Sequence, residues 1–428
     1  MKEYLIDLQL LANHVNVTTD TTATTGNDLS PEMKTFYDMT LLDEAGPQLV
    51  HDQFGQKRPI PKGSGKTIEF RKFDSLPKAL TPLTEGVTPD GQSLNVTAIT
   101  STVAQYGDYI TQSDVLELTA LDNTILEATK LLGRQAGITL DTVTREVLNG
   151  GTNVSYCPKL SGASETAVTK RSALNSTSKL TVDVVNQMTA KLRAQNAPTI
   201  GGDYVAIIHP YVAYDLMRDP EWIDAHKYAT PENLYNGEIG KIGGVRFVQT
   251  TEAKIFRGAP LTAGAANLTV KTAITTATTL PVKEAITATD VTAFAARSAS
   301  EKKIVVDGVE YAVTALVEGI AGSASITLTN AQSIGADKVI APIGSAGDGG
   351  AVFSTLFMGE GAYGVTEVTG GGLQTIVKQK GSAGTADPLD QRSSVGWKAI
   401  KTAELLLGQY LVRCESCSPR YSASVAAN

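Results

Sequence analysis

The chain has 428 residues and a formal net charge of −7, from 37 basic and 44 acidic side chains. This net negative charge argues against a protein that binds nucleic acid or an anionic membrane over its whole surface, although it allows a local basic patch. Three cysteines are too few for a disulfide scaffold, and no apolar stretch is long enough to span a membrane. We therefore expect a soluble chain, made in a reducing cytoplasm, with much strand and loop.

Residues 1–50 are expected to form an N-terminal arm rather than a domain. A short apolar segment, which includes Leu8 and Leu10, is followed by a threonine-rich run without periodicity. Such a run buries little and is predicted to be extended. Leu8 and Leu10 would then dock on another surface, which makes them candidate assembly contacts. Ser30 and Pro31 predict the start of a helix that ends near residue 45.

Residues 51–112 predict a long β-hairpin. Residues 66–73 and 94–103 alternate apolar and polar side chains, the period of a strand, and three prolines interrupt the segment between them. Because an isolated two-stranded ribbon is marginally stable in water, we expect it to lie on a neighbouring surface. Glu69, Arg71 and Lys72 either form a salt-bridged edge that faces a neighbour, which we favour, or bind nucleic acid. Glu85 is a further candidate contact in the connecting segment.

Residues 113–199 predict a domain built on one long helix. Ser113 and Asp114 cap a run of apolar residues at intervals of three or four, and two glycines end it at 150–151. A helix over 114–149 would be roughly 50 Å long. Asp141 and Arg145 are expected on its solvent face or in a salt bridge between subunits. A second helix is predicted over 182–195.

Residues 200–257 and 348–373 predict a compact mixed domain of buried strands and short helices. Between them, residues 258–347 are poor in charge and rich in alanine, threonine and glycine. We interpret this segment as a small all-β insertion, with a tight hairpin at Asp307-Gly308, in preference to a loosely ordered excursion. Residues 374–428 are expected to form a return strand and a small polar tail.

The motifs that resemble catalytic or ligand sites are weak. Residues 63–67 (GSGKT) mimic the end of a P-loop, but position 60 is not glycine and a strand follows instead of a helix. Cys414 and Cys417 have C-x-x-C spacing without a second pair, so we favour two structural thiols over a zinc site. Four residues are of types that can bind a metal ion, but no HExxH or HxH spacing supports a metal site: His209, Asp215, Asp219 and His226. The sequence predicts no cofactor, no metal and no enzyme.

Several segments resemble the major capsid protein of tailed bacteriophages. They are residues 4–10 (YLIDLQL), 26–37 (GNDLSPEMKTFY), 66–73 (KTIEFRKF), 83–89 (LTEGVTP) and 105–109 (QYGDY). The resemblance covers about 1–257 and 348–413. It implies an α+β shell fold in which the hairpin, about 56–105, is an extended loop that overlaps an adjacent subunit. Residues 113–199 would form the peripheral domain around a spine helix, and 200–257 with 348–373 the axial domain.

The resemblance also implies a function. The chain would assemble as a homo-oligomer, in hexamers and pentamers, into an icosahedral virion capsid, after synthesis in the cytoplasm of a bacterial host. It would enclose double-stranded DNA without sequence-specific binding, with scaffolding, portal and decoration proteins as partners and no membrane. The alternative is a bacterial nanocompartment of the same fold that encloses protein cargo. A surface-layer adhesin would require a secretion signal, and the first residues do not resemble one.

Overall fold

A computed structural model describes most of the chain. The described residues are 15–16, 50–73, 76, 78–80, 82, 85–86, 88, 91–119, 124–162, 164–227, 240–369, 372–378, 380–382 and 387–428. The predicted helix from Ser30 and the candidate contacts Leu8 and Leu10 lie outside these residues. The two residues described from the arm, Val15–Asn16, form a short strand that pairs in parallel with Thr111 and Gln112.

The chain divides into two compact units. The first contains Met1–Pro47, Lys57–Val143 and Val365–Ala403, and the second contains Gln48–Gln56, Thr144–Gly364 and Glu404–Asn428. Both units mix helices and strands, as the α+β prediction expects. No helix in the described part of the chain is both long and apolar enough to cross a membrane.

The first unit is built on a mixed sheet, in which Ala104–Ser113, Arg392–Leu405 and Gln374–Lys378 pair antiparallel and Val15–Asn16 pairs in parallel. Its strand order is Val15–Asn16, Ala104–Ser113, Arg392–Leu405, Tyr363–Glu367 and Gln56–Lys57, with Gln374–Lys378 also paired to Arg392–Leu405. The central register runs from Arg392 opposite Ser113 to Lys401 opposite Ala104. Trp397 is buried on this sheet against Leu132 and Ala136 of the long helix. Its indole nitrogen donates a hydrogen bond to Gln135 Oε1 at 3.3 Å.

The predicted long helix is described as two helices, Asp114–Thr119 and Thr124–Asn149. Residues 120–123 lie outside the described part of the chain. The cap at the start is the predicted one, since Ser113 Oγ accepts a hydrogen bond from the amide of Leu116 at 3.2 Å. The longer helix has 26 residues, which corresponds to about 39 Å. It ends at the predicted glycine, whose amide bonds to the Glu146 carbonyl at 3.0 Å.

The hairpin strands are also confirmed. Thr67–Phe73 pairs antiparallel with Val96–Thr102, from Thr67 opposite Thr102 to Phe73 opposite Val96. The two strands form a sheet of their own. The base of the ribbon is held in the first unit, because Ser101 Oγ lies 3.0 Å from Thr402 Oγ1.

The second unit is built on a mixed seven-stranded sheet. Its order is Lys241–Ile242, Val245–Gln249, Tyr204–Ile208, Val352–Met358, Leu411–Ser416 and Val154–Tyr156, with Ile255–Phe256 also paired to Val352–Met358. The helices of this unit include Val182–Ala194, Pro210–Met217 and Pro220–Lys227. The strands Tyr204–Ile208 and Val352–Met358 are buried along their whole length, which is the pattern of strands covered on both faces.

The C-terminal segment differs from its prediction. The single return strand is in fact two, Arg392–Leu405 and Leu411–Ser416, and the second is an inner strand of the second unit's sheet. The small polar tail is attached to the second unit through Ser422, which is buried. The Ser422 hydroxyl donates a hydrogen bond to the Ala351 carbonyl, and the Ala351 amide donates one to the Ser422 carbonyl, each at 2.7 Å. Ser422 thereby satisfies the buried backbone amide and carbonyl of Ala351, while most of residues 421–428 are exposed.

Residues 268–342 form a six-stranded sheet with a hydrophobic core of its own. The strand order is Leu268–Thr269, Val339–Pro342, Lys303–Val306, Val309–Val317, Ser325–Ile334 and Ile274–Pro281. The predicted turn at Asp307-Gly308 has both residues at positive φ, 52° and 81°, as a two-residue hairpin requires. The all-β prediction is wrong in one respect, because Ala288–Ala295 is a helix with a Thr287–Asp290 capping box.

The remaining short elements also belong to the second unit. Lys159–Ser161 pairs with Ser164–Thr166 as a small hairpin, and two 3-10 turns cover Arg171–Ala173 and Gly408–Tyr410.

Candidate assembly surface

The hairpin of the first unit exposes large apolar side chains. Leu76 is 55% exposed, Leu80 81%, Leu94 66% and Val96 50%. We call these four residues the hairpin surface. Several exposed apolar side chains in one segment indicate an interaction site, because burying them against a partner removes apolar area from water.

The alternation of the strand Thr67–Phe73 decides what each of its side chains does. Phe70 is 5% exposed, whereas Glu69 and Arg71 lie on the opposite, exposed face. Arg71 Nε donates to Glu69 Oε1 at 2.9 Å, so the structure brings these two predicted contacts together. Lys72 shares the face of Phe70 and is half-buried.

Glu85 is exposed in a turn of the connecting segment. Glu69, Arg71 and Glu85 are therefore all open to solvent in the chain. An exposed ion pair contributes little to stability. These charges are better suited to selecting a partner's orientation than to holding the subunit together.

The first unit exposes further large apolar side chains outside the hairpin. On the two helices they are Val115, Leu118 and Leu131, at 53%, 80% and 62% exposed. Val377 is 56% exposed in the strand Gln374–Lys378. Most of the large apolar side chains that the described residues expose belong to the first unit, which marks it as the unit that needs a covering partner.

Two predicted contacts on the long helix are internal instead. Asp141 is 2% exposed and Arg145 3%, so the expectation of a solvent face is wrong for both. Arg145 Nη2 lies 2.9 Å from Glu146 Oε1 and its Nη1 donates to the Glu252 carbonyl at 3.0 Å. Residue spacing locates the apolar stripe of a helix, but it cannot show that further segments cover the polar side as well.

The ion pair of Arg145 belongs to a small charged network in the second unit. Lys254 Nζ donates to Glu146 Oε1 at 2.8 Å, beside the guanidinium of Arg145. Burial works to raise the pKa of Glu146, but the hydrogen bonds from Lys254 and Arg145 outweigh it, and the pKa is lowered. The guanidinium of Arg145 is therefore held inside the subunit, whereas the carboxylate of Glu146 stays half-exposed.

Two of the four residues that resembled a metal constellation, His209 and Asp219, bind backbone amides at helix starts. His209 Nδ1 accepts from the amide of Tyr211 at 3.2 Å, at the start of Pro210–Met217. Asp219 accepts from the amides of Val182 and Glu221 at 3.0 and 3.2 Å. Asp215 is 8% exposed, and burial raises its pKa. The side chain of His226 lies outside the described residues.

No group of three or more His, Cys, Asp or Glu in the described part of the chain has the geometry to hold a metal ion. The P-loop mimic at 63–67 is a turn, with Gly63 and Gly65 at φ 87° and 88°, and it leads into the strand Thr67–Phe73. A phosphate cradle needs a helix N-terminus at this point, so the interpretation as a simple turn is confirmed. Cys414 lies beside Cys157, which sequence reasoning had not connected with it.

Comparison with known proteins places the fold. The model of the phage capsid protein family matches residues 50–381, well over half of the chain. A comparison with curated proteins finds no match. The capsid structure of cyanophage P-SCSP1u is similar with a TM-score of 0.54 and 12% identity, over 94% of this chain and 97% of that one.

Two further capsid structures have the same fold. The capsid of cyanophage Pam1 has a TM-score of 0.54 and 14% identity, over 93% of this chain and 100% of that one. The capsid of Ralstonia phage GP4 has a TM-score of 0.52 and 12% identity, over 96% and 100%. With the family match and the open apolar surface of the first unit, these likenesses lead to one conclusion: the chain belongs to the phage capsid protein family and is a major capsid shell protein.

Proposed function

We propose that this chain is the repeating subunit of an icosahedral shell that encloses the packaged double-stranded DNA of a tailed phage. Copies form hexamers and pentamers, are made in the cytoplasm of a bacterial host and end in the virion. The subunit acts by assembly and catalyses no reaction. The observation that carries this proposal is the hairpin surface, which is apolar and open in the single chain.

The energetics favour a covered hairpin. Burying one exposed leucine side chain fully contributes roughly 1.5–3 kcal/mol. Covering the hairpin surface would therefore contribute several kcal/mol to the free energy of association. A ribbon of two seven-residue strands has little means to stabilise itself in water. A neighbouring copy that covers the ribbon therefore stabilises both the ribbon and the assembly.

The shell follows from repetition of this contact. Obligate interfaces bury about 2,000–5,000 Å², and extended arms supply such area with little folded mass. The pair Glu69–Arg71 lies beside the apolar contact and would fix its register. The net charge of −7 fits a subunit that encloses DNA without gripping it.

The test is a double substitution, Leu80→Asp with Leu94→Asp, in the full chain. The matched control is Gln92→Asp with Ser93→Asp, which adds the same two charges at exposed positions of the same segment. We expect wild-type and control proteins to form shells in negative-stain images and to sediment as large particles. The leucine variant is expected to sediment as small species with an unchanged circular dichroism spectrum.

Two results would overturn the proposal. Shells from the leucine variant in wild-type yield would show that the hairpin surface is not an interface. Native particles that hold protein cargo and no DNA would identify the nanocompartment instead of the phage shell.

A further inference from the structure

The second unit contains a close pair of buried thiols. Cys157 Sγ lies 3.6 Å from Cys414 Sγ, and both residues are fully buried and free. The pair joins segments that are 257 residues apart in the chain. The C-x-x-C spacing of Cys414 and Cys417 had indicated a different neighbour.

The sheet register explains this pairing. Val154–Tyr156 runs parallel to Leu411–Ser416, with Ser155 opposite Cys414. The amide of Cys157 continues the ladder with a 3.0 Å bond to the Glu415 carbonyl. Because alternate side chains of a strand share a face, Cys157 lies on the same face as Ser155 and therefore as Cys414.

Cys417 has a different environment. Its amide donates to the Ser178 carbonyl at 2.8 Å, and its side chain packs with Leu174 and Val352 in a separate apolar cluster. Cys157 and Cys414 instead belong to the main core of the second unit. The chain thus holds one thiol pair and, in Cys417, a built-in control.

We propose that Cys157 and Cys414 are an oxidation site at which a peroxide closes an intrachain disulfide after the protein leaves the reducing cytoplasm. One thiol reacts with hydrogen peroxide to give a sulfenic acid and water. The second thiol attacks that sulfur, the S–S bond forms, and a second water leaves. Two thiols lose two electrons in total, and one peroxide is reduced to two waters.

The geometry permits this step with a small movement. A disulfide bond is about 2.05 Å long, so the two sulfur atoms must approach by roughly 1.5 Å. Once one sulfur is oxidised, the other is already in contact, and the second step is effectively intramolecular.

Access and rate follow from the surroundings of the pair. Within the described residues Val154–Tyr156 pairs only with Leu411–Ser416, and its three residues are half-buried. Local opening of such a short edge strand needs little free energy and admits a small oxidant. The hydrogen bond with Cys414 and burial raise the pKa of Cys157, so thiolate is scarce and we expect oxidation over hours.

The product would be a staple of the second unit. It ties the inner strand Leu411–Ser416 to the edge strand Val154–Tyr156 and closes a very long loop, the case in which a cross-link restricts the unfolded chain most. The role of this disulfide in stabilising a released shell rests on the proposed function. The oxidation of the two thiols does not depend on that function.

The experiment treats the folded full-length protein with hydrogen peroxide at pH 7 after removal of reductant. Thiols are then alkylated under denaturing conditions, and intact mass and disulfide-linked peptides are measured. We expect one alkylated thiol in place of three, with Cys157 linked to Cys414. Dithiothreitol restores three, and the oxidised protein unfolds at least about tenfold more slowly than the reduced protein.

Variants separate the pair from the motif. Cys417→Ser is expected to form the same linkage, whereas Cys157→Ser and Cys414→Ser are not. Three free thiols after a day in wild-type protein, or a linkage that contains Cys417, would overturn the inference. The mass measurement on wild-type protein does not require any variant to fold. The same linkage is expected in unassembled subunits and in shells, so the result is independent of whether shells form.

Discussion

His209 is expected to make the subunit sensitive to acid. Its Nδ1 accepts the amide of Tyr211 at 3.2 Å and caps the helix Pro210–Met217. The ring lies 5.1 Å from that of Phe353 and is 6% exposed. Protonation at Nδ1 removes the acceptor and places a positive charge at a helix N-terminus, which is unfavourable.

The size of the effect follows from the pKa. Burial lowers the pKa of His209 from 6.5 to about 4. A shift of about 2.5 units at 1.36 kcal/mol each corresponds to about 3 kcal/mol of unfolding free energy. Because the folded pKa is the lower one, the unfolded chain binds the proton first. This contribution is complete above pH 6.5, decreases as the pH falls towards 4 and changes no further below it.

The perturbation is His209→Asn, which keeps a side-chain acceptor at the cap without a titrating group. Urea denaturation of unassembled subunits between pH 7 and pH 4 measures both proteins. The difference in unfolding free energy between wild type and variant should change by about 3 kcal/mol over this range, in favour of the variant at pH 4. The contributions of other titrating groups cancel in this difference. If the unfolding free energies of wild type and variant changed with pH by the same amount, the proposed acid sensitivity of His209 would be refuted.

Two further predictions concern the hairpin and the long helix. Replacing residues 74–95 with Asn-Gly joins Phe73 and Val96, which are opposite each other, by a two-residue turn. We expect a folded subunit that sediments as a small species, and shells from this variant would contradict the proposed role of the hairpin. Arg145→Ala should destabilise the subunit by about 1–3 kcal/mol, since it removes a buried side chain and leaves the Glu252 carbonyl without its donor. Arg71→Ala is its control and should change the unfolding free energy by less than about 1 kcal/mol; equal losses in thermal denaturation would contradict the assignment of Arg145 as internal.

Local pattern predicted the elements well. The alternation in residues 66–73 and 94–103 predicted two strands, because side chains of a strand point to opposite faces in turn. The cap at Ser113 and the glycines at 150–151 predicted the ends of the long helical region. The turn at Asp307-Gly308 was predicted because few other residues accept positive φ at both positions. These features depend on neighbours in the chain, which the sequence contains.

Tertiary structure decided which side chains are available. Arg145 has the spacing of an exposed helical residue, but the carbonyl of Glu252 meets it from more than a hundred positions away. Cys414 has a partner three residues on in sequence and a different one, Cys157, in space. Leu80 is apolar like a core residue, yet it is 81% exposed. Residue patterns along the chain were enough to predict most of the elements and to reveal the family resemblance. Burial and pairing came from contacts between distant segments, which no local period encodes.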